Sequence, residues 1–443
     1  MTRKTNFFTR RDFIKDSSLA TGGILLAPSI LSATSPLKSK TNTLKLAIVG
    51  CGGRGTGAVL QALNADKDVK LVAMADVFKD KLDKSFKTLS EHIDANRIPV
   101  KESHKFTGFG SYKKAIDEAD VIILTTPPGF RPQHFEYAVA QGKHVFMEKP
   151  VATDVAGVKK VLEAAKVAKA KKLNVVVGLQ RHYQNSYQQI YKHIQKGKIG
   201  KIVSGQVYWN TNKAKQPIER VNYSELEHQL RNWYYFNWIC GDHILEQHIH
   251  NIDVANWFIG EYPIKAQGMG GREVRTGNEY GQIFDHHFVE FTYPSGAVIS
   301  SQSRQQLNCL KRISETFQGT KGIAETDNRR TSLLKSYSGK TIYKHDTQED
   351  KNPYQVEHDN LFDSIRNGGV ISDAENAAKS TMTGILGRMA TYSGQEITWD
   401  AAMNTNLKLV PDENTLTMDS LAPVLPDNNG NYPIPVPGKT LYF

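Results

Sequence analysis

The chain has 443 residues, 39% hydrophobic and 23% charged, with a formal net charge of +11; that composition excludes a largely disordered, collagenous or coiled-coil protein, and the length suggests two or three domains of about 150 residues. Lysines and arginines are scattered, with no basic block interleaved with aromatics, which argues against nucleic acid as a partner. Three cysteines (Cys51, Cys240, Cys309) without a CxxC exclude a disulfide framework, and no apolar run is long enough for an ordinary membrane span.

In chain order, the first element is a leader. Thr9-Arg10-Arg11-Asp12-Phe13-Ile14-Lys15 precedes an uncharged stretch from Ser17 to Ala33, broken by Gly22-Gly23 and Pro28. The stretch is too short and interrupted to span a bilayer but suits the apolar region of a signal peptide. The paired arginines followed by Asp-Phe-Ile-Lys resemble a twin-arginine export signal. Residues 1–33 are therefore read as that signal, with the twin-arginine machinery as partner and the periplasm as destination. An uncleaved signal would leave a membrane anchor. The twin-arginine route carries folded proteins, so a cofactor can be inserted before export.

Leu44 to Val49 is an apolar run of the kind that forms a buried parallel strand. It leads into Gly50-Cys51-Gly52-Gly53-Arg54-Gly55 and then Ala58, Val59, Leu60 and Leu63 at helical spacing. G-x-G-x-x-G between a strand and a helix is a dinucleotide fingerprint. Gly50 makes the tight turn, Gly52 admits the pyrophosphate, and Gly55 lets helix pack on strand. The next strand, Lys70 to Ala75, ends at Asp76, where a carboxylate binds ribose hydroxyls and repels a 2′-phosphate. NAD is therefore expected rather than NADP, although Arg54 offers a phosphate partner. Val121–Leu124, His144–Met147 and Val175–Val177 continue a doubly wound sheet, with helical segments between them such as Val155 to Lys171. This α/β Rossmann domain is placed at 40–172.

Two further stretches carry a resemblance. Thr126-Pro127-Pro128 is followed by Gly142-Lys143-His144-Val145-Phe146-Met147-Glu148-Lys149-Pro150. Downstream comes Gly241-Asp242-His243-Ile244-Leu245-Glu246-Gln247-His248-Ile249-His250-Asn251-Ile252-Asp253. Together they resemble the glucose–fructose oxidoreductase/inositol dehydrogenase (Gfo/Idh/MocA) family over about residues 44–400. The resemblance implies a C-terminal α/β domain with a large, mostly antiparallel sheet, placed at 173–400. The alternation of Val203, Gly205, Val207 and Trp209 suits such a sheet. So do the turns Pro294-Ser295-Gly296 and Gly319-Thr320-Lys321-Gly322 between apolar runs. Asn352 to Arg366 and Ala374 to Tyr392 read as helices. Residues 401–443 hold six prolines and read as an extended tail. Family members also often pair through the open face of this sheet, which implies a dimer or tetramer.

The resemblance further implies hydride transfer between nicotinamide and a carbinol carbon of a sugar, polyol or glycoside. Lys149 would contact both cofactor and substrate oxygen, and a cationic ring beside it favours loss of its proton. The family pattern Asp-x-x-x-His-x-x-Asp here reads Glu246-x-x-x-His250-x-x-Asp253. On one helix, His243, Glu246, His250 and Asp253 would share an arc of about 80°. His250 is the expected acid/base, and Glu246 its orienting neighbour, one methylene longer than the usual Asp. The expected cofactor contacts are Gly50, Gly52, Gly53, Arg54, Gly55, Asp76, Thr126, Pro127, His134, Glu148, Lys149 and Gln180. The expected substrate contacts are Arg181, Tyr183, Trp233, Trp238 and Asp253, since aromatic faces stack on sugar C–H surfaces. A His/Glu/His face has metal-ligand chemistry, but the family's usual members need no metal and none is expected.

An exported enzyme of this kind meets little soluble NAD. It must hold its cofactor through closed redox cycles or use another redox partner. One closed cycle is a glycosidase that oxidises C3, eliminates the aglycone, adds water and restores the alcohol, and this is the alternative function. A ligand-binding protein on an inactive Rossmann scaffold is a third possibility, disfavoured by the intact Gly50, Gly52, Asp76, Lys149 and His250.

Overall fold

The structure is a computed structural model that describes residues 43–212, 215–327 and 331–441. The leader read at 1–33 and the arm Thr34–Asn42 lie outside the described residues. Among those residues no helix is long and apolar enough to cross a membrane.

The glycine fingerprint sits where its sequence context demands. β1 (Leu44–Val49) buries its last four residues, and α1 (Gly53–Ala65) follows at once. Next come β2 (Val69–Asp76), α2 (Lys79–His92), β3 (Lys105–Thr107), α3 (Ser111–Asp117), β4 (Val121–Leu124), α4 (Arg131–Ala140) and β5 (His144–Met147). α5 (Val155–Ala170) and β6 (Val175–Val177) complete the unit. The six strands run in the order β3-β2-β1-β4-β5-β6, all parallel. The order reverses between β1 and β4, and ligands of open α/β sheets bind at the carboxyl ends of strands beside such a switch. α5 shows the local logic. Asp154 caps it by accepting the Gly157 N–H at 2.7 Å. Val155, Val158, Val161, Ala164, Ala165 and Ala168 then form one buried stripe.

α6 (Asn185–Gln195) leads to β7 (Ile202–Thr211), followed by α7 (Glu225–Arg231) and α8 (Asn237–Cys240). Two helices then follow where a single one was expected. α9 spans only His243–Glu246, and α10 runs from Ile249 to Ile259. The second sheet uses β8 (Lys265–Gly271), β9 (His286–Thr292), β10 (Val298–Gln305), β11 (Arg312–Gly319), β12 (Ile323–Asp327), β13 (Ser332–Lys335) and β14 (Thr341–Lys344). After α11 (Pro353–Asn367) and α12 (Ala374–Ser393) comes the short edge strand β15 (Ile397–Thr398). The order is β14-β13-β12-β11-β7-β10-β9-β8-β15, antiparallel except for the parallel pair β7–β10. Both expected hairpins form, β9–β10 and β11–β12.

α12 is the structural centre. Every residue from Ser380 to Ser393 is buried, and the helix packs on α5 of the first unit and on β8 and β9 of the second. Gly387 permits the close approach, since a Cβ there would lie 2.8 Å from Phe291 Cζ. Arg388, fully buried, donates to the carbonyls of Thr153 and Gly241 and so ties both units to the helix.

The segment after α13 (Trp399–Met403) lacks strands and lies across the molecule. Leu409 and Val410 donate to Asp154 Oδ2, and Glu413 Oε1 is 3.0 Å from His134 Nε2. Tyr432 packs on Phe236, and its hydroxyl donates to Glu225.

Candidate active site

The fingerprint loop is closed tightly at its base and open at its mouth. Gly50 has φ +98°, and a Cβ there would lie 2.5 Å from Thr126 N; at Gly55 it would lie 2.2 Å from Gly50 O. Both positions therefore require glycine. At Gly52 and Gly53 a Cβ would meet nothing within 4 Å, so the amino end of α1 is open to an anionic ligand. Asp76, half-buried at the end of β2, accepts from Cys51 N at 2.7 Å and from Phe78 N at 2.9 Å. Burial pushes its carboxyl up, opposed by those two bonds.

Arg54 does not point toward a phosphate. Its Nε donates to Glu148 Oε1 at 2.5 Å, its Nη1 to Gln61 Oε1, and its Nη2 approaches Glu357 at 3.8 Å. The guanidinium is thus built into the wall and stands over the rings of Phe146 and Tyr354. Burial would push the Glu148 carboxyl up, but Arg54, with Lys149 and Arg131, holds it below its usual range.

Thr126 and Pro127 follow β4. Thr126 Oγ1 lies 3.1 Å from His134 Nδ1, and its carbonyl accepts from Arg131. Arg131, fully enclosed, also donates to Pro150 O, and burial pushes its pKa down to about 10. Gln180 sits on a 3₁₀ turn (Gln180–Tyr183) after β6, its Oε1 buried without a partner.

Lys149 and Glu246 meet across the two units. Lys149 Nζ donates to the Glu246 carbonyl and lies 3.4 Å from Glu246 Oε1. Burial pushes the Glu246 carboxyl up, opposed by Lys149 and Arg131. Glu246 lines a cavity of about 380 Å³ with Trp209, Trp233, Tyr234, Gln247 and Gln305. Lys215 belongs to the same lining and stands 4.8 Å from the Trp233 ring centroid. His250 stacks on Trp209 with centroids 5.8 Å apart. Burial, reinforced by Lys149 and Arg181, holds its imidazole well below the ordinary value and therefore neutral.

Several expected contacts are corrected. The helix break at Gln247-His248 ends the common arc of His243, Glu246, His250 and Asp253. Asp253 is instead buried against α12, accepting from Ser380 at 2.8 Å and facing His182 Nε2 at 2.7 Å. Arg181 is buried in an ion pair with Glu315. Tyr183 donates to Asp373 at 2.6 Å and packs with Leu361 and Phe362. Trp238 is core, its indole N–H on Gln229 Oε1 at 2.8 Å. Among the five expected substrate residues, Trp233 lines the cavity. Lys215, Gln247 and Gln305 were not anticipated. Gln305 arrives because β10 pairs in parallel with β7, placing it opposite Thr211, a register with no local signal.

Comparison with known proteins agrees with this architecture. The Gfo/Idh/MocA profile "Oxidoreductase family, NAD-binding Rossmann fold" matches residues 44–179, and "Oxidoreductase family, C-terminal alpha/beta domain" matches residues 191–397. The chain is 26% identical over 260 residues to the 2,7-anhydro-N-acetylneuraminate hydratase of Escherichia coli, spanning 58% of this chain and 62% of that one, less than two thirds of its length. It is 22% identical to an inositol 2-dehydrogenase of Rhizobium meliloti over 67% of this chain and 79% of that one. The fold matches scyllo-inositol dehydrogenase from Lactobacillus casei, solved with NAD(H) and scyllo-inositol, with a TM-score of 0.60 and 21% identity, covering 81% of this chain and 100% of the other. The chain belongs to the Gfo/Idh/MocA oxidoreductase family.

Proposed function

We propose that the protein is an NAD-dependent oxidoreductase acting on a carbinol carbon of a sugar, polyol or glycoside, with its cofactor tightly held. The observation that carries this is the meeting of Lys149, just after β5 of the nucleotide sheet, with Glu246 of an aromatic-walled cavity. The open mouth at Gly52 and Gly53 and the carboxylate of Asp76 fit a dinucleotide with a free ribose diol. When bound, the nicotinamide supplies the hydride acceptor. The protein's own share is proton handling: Lys149 binds the substrate hydroxyl, and neutral His250 takes its proton. Trp209 and Trp233 offer faces to the sugar C–H surface, while Gln247 binds hydroxyls. Asp76→Ala should weaken NAD binding and narrow the gap to NADP, read by titrating both nucleotides. Native protein that binds NADP as tightly as NAD would overturn the role given to Asp76.

Export through a twin-arginine leader, with assembly as a homo-oligomer, belongs to the same proposal and gives cofactor retention its importance. At an on-rate of about 10⁶ M⁻¹s⁻¹, nanomolar affinity releases a ligand within minutes. Retention over hours needs a cover, and the tail is the candidate, through Glu413 against His134 and Leu409–Val410 on Asp154. Protein purified without added nucleotide is expected to carry near-stoichiometric NAD, identified after denaturation, and deletion of residues 405–443 should speed its loss. Empty protein that releases one NADH per oxidised sugar would leave an ordinary dissociating dehydrogenase. The second reading is a redox-neutral glycosidase. It is favoured by the likeness to a protein named as a hydratase, and it predicts glycoside cleavage with no NADH accumulation.

A further inference from the structure

One cluster of titratable side chains has no part in the chemistry above. Asp242 and His243, at the start of α9, meet His287 of β9. One potential ligand atom from each lies within 4.8 Å of the others, and all three residues are buried. His287 Nε2 is 3.3 Å from Asp242 Oδ2, and His243 Nε2 is 4.0 Å from Asp242 Oδ1. Neither ring nitrogen of His243 has a hydrogen-bond partner, although the side chain is 0% exposed.

The Thr391 hydroxyl has two acceptors within reach of its one proton, the Arg388 carbonyl and His287 Nδ1. The Thr391 hydroxyl donates to the carbonyl of Arg388 at 3.0 Å. With its one proton spent there, Thr391 Oγ1, 2.9 Å from His287 Nδ1, can only accept from an Nδ1–H. In the neutral ring, Nε2 is then a bare lone pair aimed at a carboxylate oxygen. Together with the unpartnered His243, this places three electron-pair donors around one point in the buried core. Such an arrangement is costly unless a positive charge lies between them.

We propose that Asp242, His243 and His287 form a binding site for a divalent transition metal of the zinc class. Two imidazoles and a carboxylate suit zinc and its first-row neighbours, and they leave one coordination position open. The surroundings resemble a metal's outer shell. Thr391 orients His287, while Phe284 N–H at 2.9 Å and the Tyr392 hydroxyl orient Asp242. A proton on His287 Nε2 would account for the contact with Asp242 but would leave His243 unpartnered. Arg275 adds an opposing positive charge, itself held by Gln305 Oε1 and Phe284 O. The site differs from the His243, Glu246, His250 face weighed from sequence, which the break after α9 divides. An ion here would pin α9 to β9 one turn before Glu246, fixing the segment that presents that carboxylate to the cavity.

The test is elemental analysis of the full chain, expressed in medium supplemented in turn with zinc, cobalt, iron or manganese and purified without chelators or metal-affinity resin. About one ion per chain is expected in at least one medium, falling below roughly a tenth in His243→Ala and in His287→Ala. His286→Ala, altering the half-exposed neighbour on the other strand face, should retain the ion. If the cluster variants do not fold, the cobalt-grown protein still decides the matter, through a visible d–d absorption of stoichiometric intensity. Wild-type protein that carries no ion from any medium would overturn the proposal and leave a buried polar cluster.

Discussion

Lys149→Ala, and separately His250→Ala, should lower turnover by about 10²–10⁴-fold while leaving the fold and the nucleotide content unchanged. In the proposed chemistry Lys149 supplies the positive charge, held against the carbonyl and carboxylate of Glu246. Without it, the developing alkoxide loses its partner, and the buried Glu246 carboxyl loses the cation that opposes its upward shift. His250 acts differently. Held neutral by burial and by the cations near it, it can accept a proton throughout the neutral range, so the wild-type rate should not fall from its protonation until the solution is distinctly acid. The measurement is steady-state kinetics with circular dichroism and nucleotide analysis on each variant. The loss should appear in kcat more than in KM, because the missing interactions strengthen in the transition state. A loss below tenfold in either variant would remove that residue from the chemistry.

Glu315→Ala should destabilise the protein by about 3–5 kcal/mol, because it strands a buried guanidinium. Glu315, on β11 of the large sheet, is fully buried. It accepts from Arg181, from Tyr187 at 2.9 Å, from Thr326 at 2.7 Å and from Asn251 at 2.6 Å. Its removal leaves one charge and three polar groups without their acceptor. Urea denaturation followed by fluorescence reads the change. A double variant, Arg181→Met with Glu315→Leu, should recover most of the loss, since well-packed apolar side chains often replace a buried ion pair at little cost. A single-variant loss below about 1 kcal/mol would mean that water or another group reaches Arg181.

What the sequence made legible was local. Strand, glycines and helix lie within about twenty residues of one another, and the physical demands on Gly50 and Gly55 act between near neighbours. The Glu-Lys-Pro box and Glu246 were found by resemblance, and the structure brings Lys149 and Glu246 together across 97 positions. Side-chain destinations were harder to read where distant chain decides them. Tyr183 looked available beside the cofactor strand, but its hydroxyl finds Asp373, 190 residues later. Trp238 had the composition of a sugar platform, yet Gln229 and a neighbouring aromatic cluster enclose it. Asp253 shared a helical phase with His250, but the phase from His243 onward was lost at Gln247-His248, a break with no proline or glycine to announce it. The left-handed Asp242, with φ 71°, precedes that segment and was equally silent.

The burial of α12 bears on how the molecule breathes. Two family profiles divide the chain, yet residues 43–443 form one compact unit, with this helix wedged between the sheets and Arg388 bonded to both sides. Swinging the sheets apart would wet every face of the helix and strip a guanidinium of its carbonyls. The two halves are therefore expected to melt as one cooperative unit, with the amide protons of α12 exchanging with solvent only when the whole unit opens. A wide opening between the sheets would have to break those contacts. Local opening of the small segments at the rim costs far less than breaching the fold they border, which makes them the cheaper way into the crevice.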